Sequence, residues 1–358
     1  MGAATHTTYD TSGPRVARQE LETFGGKLLE SVEMDAAGAA LTARTLVHAD
    51  LRGVHSHGVR MLPLYLKTLA SKSLNPRPTV REVSSGPGHA TFDGDNGMGQ
   101  IASEIAMGRA IELAHEFGVG MTVVDNTGHF GAAGYWVIMA AEAGCMGYCA
   151  SNLRGPVLLA TGGRGGAAGN NPLAWAFPGR RHRPTVLDMA TGAVALGKIA
   201  ALGEGGFLAP EGVAADAEGR PTRDPAKVAF VAPAAGPKGY ALAVVHDVLV
   251  GALTGGGSAL QKEPLVLGGP LDGGLFFMAM DISAVMPLAD FTTAMDAQTD
   301  AVNGLEPAEG VDRVSMPGQI EWNLYDERVA TGIPFPAGVL DPLAEVAKQY
   351  GVAAPWVG

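Results

Sequence analysis

Residues 52–62 read RGVHSHGVRML. His55 and His57 stand one residue apart with Ser56 between them and Arg52 and Arg60 on either side, in a chain with only 9 histidines. Imidazole titrates near neutrality, so it can pass a proton to or from a carbonyl or hydroxyl oxygen. A guanidinium can grip a carboxylate through two parallel hydrogen bonds. Proton transfer beside a held carboxylate is therefore one chemistry this stretch offers. His57 would be the acid/base, Ser56 would add a hydrogen bond, and Arg60, nearer to His57 than Arg52 is, would take the carboxylate. His55 reads as a structural group capping the helix before it. Metal ligation is the other chemistry. On a strand the two histidines would point the same way. His129 or Asp188 would then have to complete the ligand set of a metal-dependent hydrolase.

Two further groups have positions that suit ligand binding. His129, in NTGHFGAAGYW, falls where a strand gives way to a helix rich in small residues, and helix starts attract polar and phosphate groups. Lys238, in GPKGYAL, opens another helix. The helix dipole disfavours a cation there, which points to a purpose such as a cofactor phosphate or ribose. Two stretches, GMGQIA (97–102) and GRGGAA (163–168), imitate a dinucleotide fingerprint. The required strand–loop–helix setting fails for both. FDGDN before the first reads as a turn, and the second runs into a strand.

These groups must be carried by an α/β (mixed) scaffold. Apolar periodicity predicts helices over 15–31, 34–51, 60–71, 98–117, 238–256, 288–305 and 340–352, with another ending at Gly144. Strands are predicted over 121–126, 173–178, 184–190 and 274–282, with a short one in CMGYCASN. The Gly- and Pro-rich segment 203–238 reads as a surface excursion. Helices come first, then mixed elements, then helices again, which describes an α/β body with a helical cap. The division expected is 1–80 together with 300–358 as the cap, or substrate-side domain, and 81–299 as the cofactor-binding domain.

The totals limit the partners. With 36 acids against 25 bases the net charge is −11, which disfavours nucleic acid and repels a small anion at long range. Such a substrate must be held by local positive charge. Two cysteines make no disulfide framework and fit the cytoplasm. MGAATHTTYD lacks a signal-peptide pattern, and no apolar run reaches the length of a membrane span.

The chain resembles the malate/L-lactate dehydrogenase family. The matching stretches run in order over roughly residues 49–336: ADLRGVHSHGVRMLPLY, DGDNGMGQ, GHFGAAGYW, GNNPLAWAFP, VLDMATG, PAAGPKGYAL, SMPGQ and GIPFP. The resemblance implies an L-sulfolactate dehydrogenase-like fold with a non-Rossmann NAD(P)-binding domain, NAD or NADP as cofactor, no metal, and a homodimer. It implies hydride transfer to or from a small anionic 2-oxo or 2-hydroxy acid of the malate, lactate, sulfolactate or ureidoglycolate type. The alternative within the family is reduction of a cyclic imino acid. Carried over by motif, His57 and His129 are the proton-transfer residues and Tyr65 lies on the substrate side. Asp188, Met189, Ala190, Asn170, Lys238, Pro317, Gly318 and Gln319 are cofactor contacts.

The match has departures. Many members carry the substrate arginine four residues after the SHG histidine, where Met61 stands, so Arg60 or Arg52 must substitute. Asn170 replaces a threonine, and Leu153 and Arg154 stand where a serine or threonine is common.

Overall fold

A computed structural model describes residues 13–152, 155–204, 206–262 and 273–357 of the chain. Leu153, Arg154 and the first twelve residues lie outside the described residues.

The N-terminal helices Arg18–Glu30 and Ala36–Leu51 pack side by side. Asp35 starts the second by accepting the Gly38 amide at 2.9 Å, satisfying one of the donors a helix start leaves over. Their apolar faces bury Leu21, Leu28, Leu46 and Leu51 in one core with Leu62 and Leu66 of helix Leu62–Ala70. Ile333, Phe335, Leu340 and Leu343 close that core from the other end of the chain. A two-stranded pairing of Arg15–Val16 with Ile333–Pro334 ties the ends together.

The body is built on a seven-stranded sheet. Its order is Arg81–Gly86, His89–Gly97, Val119–Thr127, Gly273–Asp281, Cys145–Ser151, Leu173–Phe177 and Thr185–Met189. Only His89–Gly97 and Val119–Thr127 run parallel, joined by helix Gly99–Phe117. Every other pairing is antiparallel. A doubly wound dinucleotide fold has a mostly parallel sheet instead.

Gly273–Asp281 lies in the middle and is covered on both faces. Leu275, Phe277 and Ala279 face helices Gly99–Phe117 and Ala133–Glu142. Phe276 faces Val250 and Tyr148. The run GLFFMAM is continuous rather than alternating for that reason. The helices lie very close to the sheet: a Cβ on Gly120 would fall 1.9 Å from the Ala110 carbonyl oxygen.

Several expectations need correction. FDGDN is part of strand His89–Gly97, so a strand does run into GMGQIA and its helix. Asp95 and Asn96 take left-handed backbone angles of +53° and +51°, and the ladder slips between Asp93 and Gly97. Turn residues inside a bulged strand made it read as a turn. Segment 203–238 is more than an excursion. Ala214–Ala215 and Phe230–Val231 join Leu158–Leu159 and Gly166–Ala168 in a four-stranded sheet. Its small core includes Leu158, Ala214, Val231 and Ala243. The apolar helix from 238 onward is α-helical over Pro237–Asp247 and then widens into a π-turn, Val248–Ala252. Hairpin Arg81–Gly97 and helices Leu196–Glu204 and Gln319–Thr331 were not anticipated.

Candidate active site

The SHG stretch folds around a buried carboxylate. After helix Ala36–Leu51 the chain makes two single 3₁₀ turns, His55–His57 and Val59–Met61. Asp50 lies inside them, its Oδ2 accepting the Val59 amide at 2.7 Å and its Oδ1 paired with His55 Nδ1 at 2.7 Å. Burial pushes the Asp50 carboxyl up, with His55 and the Val59 amide pulling the other way. Gly58 is glycine for lack of room, since a Cβ there would sit 2.0 Å from Asp50 Oδ1. In a 3₁₀ turn, residues two apart diverge. His55 therefore goes inward while His57 faces the cleft.

Both His55 nitrogens are engaged inside the protein. Nε2 is 3.1 Å from Arg328 Nη1, and a guanidinium can only donate. Nε2 therefore accepts, and Nδ1 carries the proton toward Asp50. His55 and His57 do not converge as metal ligands. Among the described residues no group of three or more His, Cys, Asp or Glu side chains is placed to hold a metal ion.

His57 meets His129 instead. The rings stack with centroids 5.5 Å apart and planes at 24°. Each is anchored through Nδ1, His57 by its chain neighbour and His129 by a residue of helix Leu62–Ala70. Ser56 Oγ is 2.8 Å from His57 Nδ1, and Tyr65 Oη is 2.6 Å from His129 Nδ1. The Gly131 amide also donates to His129 Nδ1, at 3.3 Å. Gln100 Nε2 donates to Tyr65 Oη at 3.2 Å. Both imidazoles are half-buried at the surface of the cleft and make no other hydrogen bond among the described residues, so both Nε2 atoms remain available there. Burial holds His57 down at about 4. Burial and the neighbouring His57 hold His129 down at about 3. At neutral pH the pair is uncharged. Tyr65, expected beside a substrate, is fully buried with its hydroxyl turned onto His129.

Arg52 and Arg60 part company. Arg60 is exposed on the second turn. Arg52 is 5% exposed, its guanidinium lying 4.3 Å over the Trp322 ring. Its Nη1 has no hydrogen-bond partner among the described residues. Burial depresses its pKa, against the pull of Glu321 and Asp188. Those two carboxylates balance its charge at a distance, but a buried Nη1 with no acceptor is costly until an acceptor joins it.

Asp188 ties the edge strand to helix Ala133–Glu142 and acts on the charge of Arg52. Its Oδ2 accepts the Gly134 amide at 2.7 Å, at the start of helix Ala133–Glu142, just beyond His129. One side of Asp188 is open to solvent, while the protein packed around the rest of it raises its carboxyl to about 6.

The remaining expected cofactor residues fall into two groups. Asn170 Oδ1 accepts the Gly192 amide at 2.8 Å, beside Met189 and Ala190. The Thr191 carbonyl accepts from Ala234, so the loop before Lys238 abuts the same strand end. Lys238 is exposed at the start of helix Pro237–Asp247. Pro317 and Gly318 instead dock further back on the strand, the Pro317 carbonyl accepting the Val186 amide at 3.1 Å. Gln319 Oε1 accepts the Met316 amide at 3.1 Å and so turns back on its own loop. Pro317 and Gln319 also line a cavity of about 420 Å³ with Arg180–Arg183 and Trp322.

Asp50, Gln100, Trp322 and Arg328 were not anticipated. Asp50 and Gln100 do lie within the quoted motifs ADLRG and GMGQ. Trp322 and Arg328 belong to a helix that had not been predicted.

Comparison with known proteins gives a consistent result. A family model described as malate/L-lactate dehydrogenase matches residues 16–344. A malate dehydrogenase of Pyrococcus abyssi is 33% identical over 359 residues, covering 96% of this chain and 97% of that protein. An NAD(+) ureidoglycolate dehydrogenase of Escherichia coli O157:H7 is 33% identical over 309 residues, covering 85% of this chain and 88% of the relative. The solved sulfolactate dehydrogenase of Methanocaldococcus jannaschii superposes with a TM-score of 0.86 at 32% identity, over 95% of this chain and 98% of that one.

Proposed function

The chain belongs to the malate/L-lactate dehydrogenase family, and we propose that it transfers hydride between NAD or NADP and C2 of a small 2-hydroxy or 2-oxo acid. The observation that carries this reading is the stacked pair His57 and His129, neutral at pH 7, each anchored through Nδ1 and leaving Nε2 to the cleft.

A nicotinamide supplies the hydride acceptor or donor. The edge of the sheet suits it. The Val186 amide points outward to Pro317, and by the two-residue alternation of a strand the amide of Asp188 faces the same outer side. Asp188, Met189 and Ala190 would line the cofactor, with Asn170 bracing that strand end. Lys238 and the Pro317–Gln319 stretch would hold its polar parts.

In the direction of oxidation, neutral His57 takes the proton of the substrate hydroxyl at Nε2, with Nδ1–H held on Ser56. His129 Nε2–H donates a hydrogen bond to the same oxygen. A neutral imidazole can fill that role. Arg52 holds the substrate carboxylate, which gives its buried Nη1 the acceptor it lacks. In reduction the steps reverse, and a protonated His57 delivers the proton. His57 and Arg52 would come from the 1–80 and 300–358 cap and His129 and Asp188 from the 81–299 body, so the reaction takes place where cap and body meet.

The same reading takes the protein as a cytoplasmic homodimer that engages neither nucleic acid nor membrane. Two buried free thiols, Cys145 and Cys149, suit a reducing compartment. Leu242, Val245, Val248, Leu253 and Leu260 are exposed on one stretch, an apolar surface suited to a second copy. No helix among the described residues is long and apolar enough to cross a membrane.

The test is turnover. Purified protein is mixed with NADH or NADPH and pyruvate, oxaloacetate, sulfopyruvate or a cyclic imino acid, and loss of reduced cofactor is followed. Oxidation with a 2-oxo acid is expected. Turnover with the imino acid alone would replace the substrate class, and no turnover with any pair would overturn the reading.

A further inference from the structure

Gln100 is completely buried, at the second position of helix Gly99–Phe117. Its Nε2 donates to Tyr65 Oη at 3.2 Å, and its Oε1 has no partner among the described residues. The same helix start grips the backbone of His129, because the Gly99 amide donates to the His129 carbonyl at 3.1 Å.

A phenol has one proton. With the Gln100 amide donating into the Tyr65 oxygen, that proton is directed to His129 Nδ1. The Gly131 amide points at the same nitrogen. Nδ1 is therefore a pure acceptor, and the single ring proton of neutral His129 must sit on Nε2. A carboxamide turned end for end would present its oxygen to Tyr65 and draw the phenol proton away from His129, leaving the longer Gly131 bond as the only donor to Nδ1.

We propose that Gln100 is a positioning residue that fixes the tautomer of His129. Acting through Tyr65, it keeps His129 as a hydrogen-bond donor toward the substrate oxygen and leaves proton transfer to His57. The consequence for turnover rests on the dehydrogenase reading above, but the tautomer itself does not.

The experiment is long-range proton–nitrogen NMR of the histidine rings in ¹⁵N-labelled full-length protein, with His129 assigned by loss of its signals in His129→Asn. Wild type should show an unprotonated Nδ1 and a protonated Nε2. Gln100→Glu puts an acceptor opposite the phenol, and the His129 proton should move to Nδ1. Gln100→Met removes the donor without adding charge, and both tautomers should then be populated. Should Gln100→Glu fail to fold, Gln100→Met carries the test. In turnover, kcat should fall roughly tenfold in Gln100→Glu, below the range of losing an acid–base group outright. KM for the acid should change less than about threefold. A wild-type His129 protonated on Nδ1, or a tautomer unmoved in both variants, overturns the proposal. A tautomer that follows Gln100 in a protein that turns over no hydroxy acid sustains it and sinks the dehydrogenase reading instead.

Discussion

His57 and His129 lie face to face, 5.5 Å between ring centroids, each held from behind by a different hydroxyl, Ser56 for one and Tyr65 for the other. A charge on either ring would meet its neighbour across a partly desolvated gap, so the pair can hold one proton far more readily than two.

Replacing either ring should therefore impair turnover. His57→Ala should lower kcat by roughly 10² to 10⁴-fold, the usual range for acid–base assistance, and His129→Ala by roughly 10² to 10³-fold, the range for losing one hydrogen-bond donor to the reacting oxygen. His55→Ala should act on stability instead. It leaves the Asp50 carboxylate buried and short of a partner, which costs about 3–5 kcal/mol. Steady-state kinetics and denaturant melts of the three variants check this. A stable, inactive His55→Ala beside a fully active His57→Ala would reverse the roles.

The two arginines give a second separation. Arg52→Lys should raise KM for the acid roughly tenfold or more, equivalent to about 1.4 kcal/mol, because Lys cannot copy the guanidinium fork or its stacking on Trp322. Arg60→Lys, altering an exposed side chain, should change KM less than about threefold. A large KM effect at Arg60 with none at Arg52 would move the carboxylate to the outer turn.

How far these roles were legible depends on their range along the chain. The HSH triplet and His129 are visible because the chemistry and the local spacing coincide. Their supports are not. Arg328 reaches His55 across 273 residues and Tyr65 reaches His129 across 64, separations that leave no spacing signature. Arg60 was favoured over Arg52 for proximity in sequence, yet the close of helix Ala36–Leu51 turns Arg52 inward while the 3₁₀ turn carries Arg60 out. The fold was legible where periodicity was clean. It failed at His89–Gly97, where left-handed Asp95 and Asn96 look like a turn, and at Gln319–Thr331, whose weak amphipathic pattern leaves only Trp322 and Arg328 buried.

Stability should fall with acid below neutrality. His57, His129 and His48 are held at about 4, 3 and 3, all below the usual value near 6.5, chiefly by burial. Between pH 6.5 and 4 the unfolded chain binds protons that the folded chain does not, so stability decreases as pH drops through that window. Asp188, raised to about 6, works in the opposite sense below pH 6, as does the raised Asp50. The three histidines should prevail. Calorimetric Tm between pH 7.5 and 5 should decline, and His48→Phe should flatten the decline. A Tm that is level or rising toward pH 5 would contradict this.

Asp188 should leave its own mark on the kinetics. A carboxyl titrating at about 6 predicts that kcat/KM falls on the acid side of pH 6, as the charge that balances Arg52 is lost. In Asp188→Asn that limb should vanish from the pH profile. If it persists unchanged, the limb belongs to another group.

The strand Gly273–Asp281 is made long after the two strands it separates, Val119–Thr127 and Cys145–Ser151. During synthesis those two must wait with facing edges open, for on the order of ten seconds at ordinary elongation rates. Open edges of this kind invite pairing with other chains. Folding of the body is thus committed late, by a distant insertion rather than by zipping of neighbours, and a product that stops short of residue 273 would carry two unfinished half-sheets into solution.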